Sequence, residues 1–496
     1  MPHPLSFFTD AFLQAVRGRG HRSARAPARP PTTRTAAKRT GERAGERRRG
    51  TGRGTGRKAD LTADLEGDRM RIVVVGAGLC GLTLAWLLEE GHEVVVLEER
   101  GRLGGNIDSR PVPGAAGPRW ADMGVREVVP AASPLWSRLF RLQGFGADDL
   151  EDVPAGRSLV REAPDGREVL LSPAQDAAGP GAGGAGSAPA RAAVRAFTER
   201  AAAWAEEGLD WDVPLGAALD PLPFGASLAD VVCALPASLF GCTLDEARDL
   251  SARAVGSLYA APPGAPPAPA AVRPRDGFGA LTTSLAGSLR GARVHAGAGA
   301  ARIERDGGRY RVVDVRGHAY PADCVVPAVP ADRVEALLRP LAGTGDLRAA
   351  LRRHSYREAE YSLHLDPYGM PAGRAHRAAV NITVAGRGTR TTVRWPAGDG
   401  PDRYVTAAPP SAARPLRELA RTTLRTRLPT PAAHAARREV ERRSGEGLLF
   451  LAGQCAATVD TQEGAVASAL AVARSLTPSG RRTRSLGEAA GDAAAG

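Results

Sequence analysis

The chain changes character at residue 70. Upstream, Gly, Arg, Thr and Pro recur without a hydrophobic period, whereas downstream short apolar runs alternate with helical spacing. Ile72 to Val75 is a continuous, mostly β-branched run, which predicts a strand buried on both faces. Gly76-Ala-Gly-Leu-Cys-Gly81 follows, and Leu82 to Glu90 predicts an apolar helix ended by Gly91. Glu93 to Leu97 predicts a second strand, completing a βαβ unit. Further along, Arg273 to Leu281 leads into an amphipathic helix reaching Leu289, and strands are expected at Val294–Ile303, Tyr310–Val315 and Ala322–Ala331. Leu449 to Cys455 predicts a last strand, and an Ala-rich helix follows from Thr461 through Ala471.

The glycines of the first loop have separate physical tasks. Gly76 permits the tight turn, Gly78 permits close backbone approach to a pyrophosphate, and Gly81 permits close packing of helix on strand. The helix N-terminus offers unpaired N–H groups and a positive dipole end to phosphates. Glu98 ends the second strand, where its carboxylate can accept ribose hydroxyls. Strand, loop, helix and acid in register predict a Rossmann-type dinucleotide site using Gly76, Ala77, Gly78, Leu79, Cys80, Gly81 and Glu98.

Size and charge limit the alternatives. A chain of 496 residues supports two or three domains with apolar cores, and no run of eighteen apolar residues spans a bilayer. Peripheral membrane contact stays open. The five cysteines, Cys80, Cys233, Cys242, Cys324 and Cys455, have neither disulfide nor metal spacing and fit a reducing, cytoplasmic setting. The net charge of +12 suggests nucleic acid until its location is considered. Residues 1–69 hold 16 Lys+Arg against 7 Asp+Glu, leaving 50 against 47 in residues 70–496. The basic character thus belongs to an N-terminal segment expected to be disordered, and no nucleic-acid partner is expected. Phe7, Phe8, Phe12, Leu13 and Val16 form an amphipathic pattern also found in presequences. Met70 directly before the first strand favours an upstream extension instead.

Glu98-Glu-Arg-Gly-Arg-Leu-Gly-Gly-Asn-Ile107 resembles the acid, Arg and Gly-Gly extension of flavin amine oxidases, phytoene desaturases and protoporphyrinogen oxidases. The resemblance implies FAD, with Glu99, Arg102, Gly104, Gly105 and Asn106 near its phosphate and ribityl portions. Leu449-Phe-Leu-Ala-Gly-Gln-Cys455 and Thr461-Gln-Glu-Gly-Ala465 resemble that superfamily's second FAD segment, implying contacts from Gly453, Gln454, Val459 and Asp460. The stretch from Arg273 to Ala331 resembles its middle FAD segment, with Ala300 at the position whose backbone meets adenine. The implied fold is α/β with an α+β insert: a discontinuous Rossmann-type FAD domain (70–155, 272–335, 445–476) and an inserted substrate domain (156–271, 336–444). Residues 1–69 and 477–496 are expected as disordered tails.

Within the superfamily, Gly104-Gly-Asn-Ile-Asp-Ser109 and Trp120-Ala-Asp-Met-Gly-Val-Arg126 resemble protoporphyrinogen and coproporphyrinogen oxidases. The second stretch resembles a loop beside the flavin, which implies roles for Gly124, Val125 and Arg126, with Asp122 in register. Arg157-Ser-Leu-Val160 resembles the segment whose arginine pairs with a substrate propionate, and Leu239 to Ser251 resembles a later helix and loop. Val125 replaces the loop proline, Gln454 replaces an acid or Asn, and Ala469 replaces a usual Gly. The Ala/Gly/Pro tract at 174–192 and the Pro-rich tract at 261–274 are expected as flexible linkers, which weakens a porphyrin reading. His364-Leu-Asp-Pro-Tyr-Gly-Met-Pro371 resembles instead a stretch in FAD-binding proteins without an assigned activity.

No lysine occurs between Met70 and Gly496, so neither a Schiff base nor the lysine-held water of many amine oxidases is available. No metal-ligand spacing and no Gly-x-Ser-x-Gly elbow is present. The flavin itself must then carry the reaction, removing hydride from a C–H bond, with no catalytic side chain assigned. Arg126 and Arg157 are the expected anchors for a small anionic substrate, and O2 the expected electron acceptor. A terpenoid desaturase or isomerase, and a non-catalytic flavin-binding protein, are the alternatives.

Overall fold

A computed structural model describes residues 69–112, 119–154, 156–163, 166–174, 187–259, 271–395 and 401–488. Its first layer is a parallel sheet ordered Cys324–Pro327, Arg71–Val75, Glu93–Glu98, Arg293–Ala296. Alternation along the strands assigns each side chain to one of two cores. Ile72, Val74, Val94, Val96 and Val326 pack on helices Leu79–Leu88, Gly279–Ser288 and Gln462–Leu476. Val73, Val75, Leu97 and Val325 face the other way, onto a meander of Ala300–Asp306, Arg309–Asp314 and Ala319–Ala322. Burial on both faces explains why these strands read as continuous apolar runs. Leu449 bridges Val325 in parallel, and the Phe450 and Ala452 N–H groups donate to Val325 and Pro327 at 3.0 Å, extending the sheet to deliver Gly453.

The second layer is a seven-stranded sheet ordered Glu418–Arg427, Tyr356–His364, Arg403–Ala408, Gly388–Trp395, Val380–Ala385, Arg157–Ala163, Gly166–Leu171. Only the pairing of Arg157–Ala163 with Val380–Ala385 is parallel. Leu159, Leu171, Ile382 and Val384 carry helices Ser187–Glu206, Ala226–Phe240 and Ala252–Tyr259 on one face. Tyr361, Val380, Val393 and Leu424 form a separate cluster with Val112, Ala121 and Met123.

Four expectations change. Val294–Ile303 is two strands in different sheets, broken at Gly297, whose φ of +68° turns the chain. Residues 187–192 of the first expected linker begin a twenty-residue helix; their alanines are strong helix formers and bury Ala190, so low complexity concealed a helix. Val272–Pro274, in the second expected linker, pairs with Leu150–Asp152 because these residues can close a short ladder. The expected C-terminal tail contains helix Arg481–Gly487, held by buried Thr483 and Leu486 and by Arg482, which reaches Trp86 O at 2.6 Å and Glu89 at 2.7 Å. The rest of both linkers, the N-terminal pattern at Phe7 to Val16 and residues 489–496 lie outside the described residues. Among the described residues no helix is long and apolar enough to cross a membrane.

Candidate active site

A cavity of about 650 Å³ runs between the two layers. Its size lies within the range of small-molecule and cofactor sites. At one end is the glycine loop. Gly76 adopts φ +103°, and a Cβ there would lie 2.7 Å from Val329 Cγ1, so the turn excludes any side chain. Gly104 and Gly105 have φ values of +105° and +62°, and the Gly104 N–H donates to Ala77 O at 2.8 Å. A Cβ on Gly105 would approach Gly78 Cα to 3.1 Å, so the two glycine loops lie backbone to backbone.

Several features of this end fit a dinucleotide. Helix Leu79–Leu88 has no side-chain cap and no acidic residue in its first turn, leaving its N-terminal N–H groups for an anion. Gly78 opens into the cavity, its added Cβ meeting only Gly105 Cα at 3.8 Å. Glu98 is buried and accepts N–H groups of Ala77 and Arg100 at 2.8 and 2.9 Å, which fixes its carboxylate at the cavity wall. Those two bonds leave lone pairs for hydroxyl donors.

The other end combines apolar walls with charge. Leu239, Phe240, Leu258, Tyr361, Val380 and Leu424 line it together with Arg126, Glu127 and Arg157. Arg157 begins its strand opposite Val380, and its guanidinium donates to Glu127 at 3.1 Å, both side chains being largely covered. Burial lowers the Arg157 pKa, opposed by Glu127. Its strand forms a hairpin with Gly166–Leu171, and the Arg157 side chain does not lie on the outer surface. Arg126 forms no hydrogen bond or ion pair among the described residues, so this end holds two cations against one carboxylate. The loop bearing Arg126 is fixed at Gly124, where a Cβ would meet Asn106 O at 2.4 Å and Leu424 Cδ1 at 2.6 Å.

The third wall is the C-terminal segment. Gly453 adopts φ +75° and donates its N–H to Ser468 Oγ at 2.9 Å. Gln454 Nε2 donates to Asp460 at 2.6 Å, while Gln454 Oε1 is buried without a partner. Thr461 caps helix Gln462–Leu476 by accepting the Gly464 N–H at 3.0 Å.

Of the residues singled out from sequence, Ala77, Gly81 and Arg102 do not line the cavity, and the others do. Ala77 orients Glu98, and Gly81 packs its helix so closely that a Cβ would come within 1.9 Å of Gly76 O. Arg102 instead donates to Ile107 O at 2.9 Å and pairs with Asp108. Sequence reading missed Arg333 and Arg425 at the walls, and the apolar set from Leu239 to Leu424. For Arg100 a signal existed: it falls within the Glu98–Gly105 motif, and its guanidinium donates to Gly105 O at 3.2 Å.

This architecture defines a protein with a Rossmann-type layer assembled from separate segments of the chain. Residues 74–141 match the family model of NAD(P)-binding Rossmann-like domains, and residues 254–363 that of flavin containing amine oxidoreductases. These two stretches, together fewer than half of the residues, are similar to flavin amine oxidases, and the chain is an FAD-dependent oxidoreductase. No curated protein matches it. Similar solved structures include a candidate protoporphyrinogen oxidase from Exiguobacterium sp. 255-15, at TM-score 0.59 and 16% identity over 82% of this chain and 99% of that one. A conjugated-linoleic-acid-producing (CLA-producing) fatty acid isomerase from P. acnes matches at TM-score 0.57 and 16% identity, over 82% and 98%. A putrescine oxidase variant matches at TM-score 0.58 and 13% identity, over 82% and 99%. At these identities the likeness establishes the fold.

Proposed function

We propose that the enzyme oxidises a C–H bond of an anionic, largely apolar organic substrate, with porphyrinogens as the leading class and O2 as electron acceptor. In this reading Glu98, Glu99 and Ala300 hold the adenosine of FAD, the two glycine loops and Gly453 hold its diphosphate, and Asn106, Gln454, Val459 and Asp460 flank the remainder. FAD, when bound, supplies the hydride acceptor. The protein's own task is orientation and exclusion of water, and the apolar walls serve both. The observation that carries the substrate class is Arg126, an unpaired cation facing an apolar end, beside an Arg157 already engaged by Glu127.

Anaerobic mixing with coproporphyrinogen and protoporphyrinogen, followed by flavin bleaching, tests this. Bleaching by either is expected, and Arg126→Ala should lower the rate at limiting substrate about tenfold to a hundredfold, as loss of a hydrogen bond to a charged group implies. If neither bleaches the flavin, the porphyrinogen class is wrong. The apolar lining with a cationic end then favours the second reading, a lipophilic acid that is desaturated or isomerised.

A further inference from the structure

Oxidation at a C–H bond beside an N–H or second C–H releases a proton as well as hydride. The cavity therefore needs a group to receive it, and among the described residues no histidine or lysine lines the walls. Burial pushes the Cys80 thiol up to about 12, which makes it a poor base near neutrality. Four carboxylates remain: Glu98, Glu99, Glu127 and Asp460. Glu98 is committed to two backbone N–H groups at the glycine-loop end. Glu99 is exposed, near Arg333 at 3.9 Å, and Glu127 is paired with Arg157 at 3.1 Å. Asp460 differs from all three. Among the described residues it forms no ion pair; the neutral amide of Gln454 donates to it at 2.6 Å, and the Arg427 backbone N–H also faces it.

We propose that Asp460 is the proton-accepting residue of this cavity. Its carboxylate forms an O–H bond as the substrate's N–H or C–H bond breaks, and the released electron pair enters the double bond left by hydride departure from the adjacent carbon. Gln454 is the positioning residue, fixing one carboxylate oxygen. The surroundings favour a group that changes charge. Arg427 is a cation acting on it, but the Arg427 guanidinium donates to Ala457 O at 2.8 Å and Thr458 O at 2.9 Å. Tyr356 is another titratable group facing it, and burial raises its pKa, so it stays neutral. Burial likewise raises the Asp460 pKa, against the opposing influence of Arg427 and the Gln454 hydrogen bond. A base with a raised pKa is the better matched to operation near neutral pH.

The inference rests on reading the cavity as the site of C–H oxidation, and the test separates the two. In the FAD-bound protein, the visible flavin spectrum should titrate with pH in wild type and lose that titration in Asp460→Asn. With coproporphyrinogen, the bleaching rate at saturation should rise with pH in wild type. Asp460→Asn should lower it, compared per bound flavin, about a hundredfold to ten-thousandfold and flatten the profile. If coproporphyrinogen bleaches no variant, the substrate reading fails while the spectral titration still decides on Asp460. A titration that persists in Asp460→Asn, or wild-type rates in that variant, overturns the proposal.

Discussion

At the residue scale, the three glycines of the first loop are required for different reasons. Side chains at Gly76 and Gly81 would collide with protein, at 2.7 Å from Val329 and 1.9 Å from Gly76 O respectively. A side chain at Gly78 meets ordinary contact with Gly105 and otherwise open cavity. Gly78 is therefore demanded by the ligand and its neighbours by the fold. Gly78→Asp should give a folded protein with near wild-type circular dichroism and little or no FAD, because the new carboxylate occupies the pyrophosphate position with like charge. Gly81→Ala should lower the thermal midpoint even before FAD is considered. Full FAD occupancy in Gly78→Asp would sink the assignment of this loop.

At the scale of elements, what was legible from sequence is what short-range spacing encodes. The strand, glycine loop and helix from Arg71 to Leu88 were readable because the apolar run, the glycine spacing and the apolar helix follow one another without a break. The apolar wall of Leu239, Tyr361 and Leu424 was not, since burial against a cavity leaves the same sequence signal as burial in a core. Asp122 shows the same limit. Helix Gly279–Ser288 starts at Phe278 without a cap of its own. Its cap comes from the hairpin 109–122: Asp122 Oδ1 accepts the Phe278 N–H at 3.1 Å, and Ser109 Oγ accepts the Gly279 N–H at 2.8 Å while donating to Asp122. Nothing local in either segment announces this pairing.

That remote cap has a pH signature. Burial pushes the Asp122 carboxyl up to about 7 from 3.8, only partly offset by its bonds to Ser109 and Phe278; Arg273 lowers it and Asp108 raises it. The folded state thus keeps a proton that the unfolded chain has lost, so stability contributed here falls as pH rises between about 4 and 7. Asp122→Asn removes that dependence while keeping an oxygen for the Phe278 N–H. Urea midpoints across this window should decline with pH more steeply in wild type than in the variant. Equal slopes would show that the carboxyl titrates as in the unfolded chain.

At the scale of the whole molecule, the cavity walls come from residues as distant as Gly76, Arg157, Ala300, Leu424 and Asp460. A ligand that joins these segments stabilises the native arrangement by mass action, so FAD should raise the thermal midpoint in proportion to the logarithm of its concentration. Within the described residues, the first strand is already anchored without help from upstream. Met70 is buried, and its N–H meets His92 Nδ1 at 3.3 Å, while His92 Nε2 lies 3.0 Å from Leu476 O. Arg71 N–H donates to Asp323 at 2.8 Å. Residues 1–69 supply +9 of the net +12 charge, a surplus that repels itself. A chain beginning at Met70 should therefore be soluble, carry about one FAD per molecule and match the full-length thermal midpoint within a few degrees. Flavin absorbance per chain and a melting curve measured side by side decide the matter: an insoluble or flavin-free product would mean that the basic segment completes the fold.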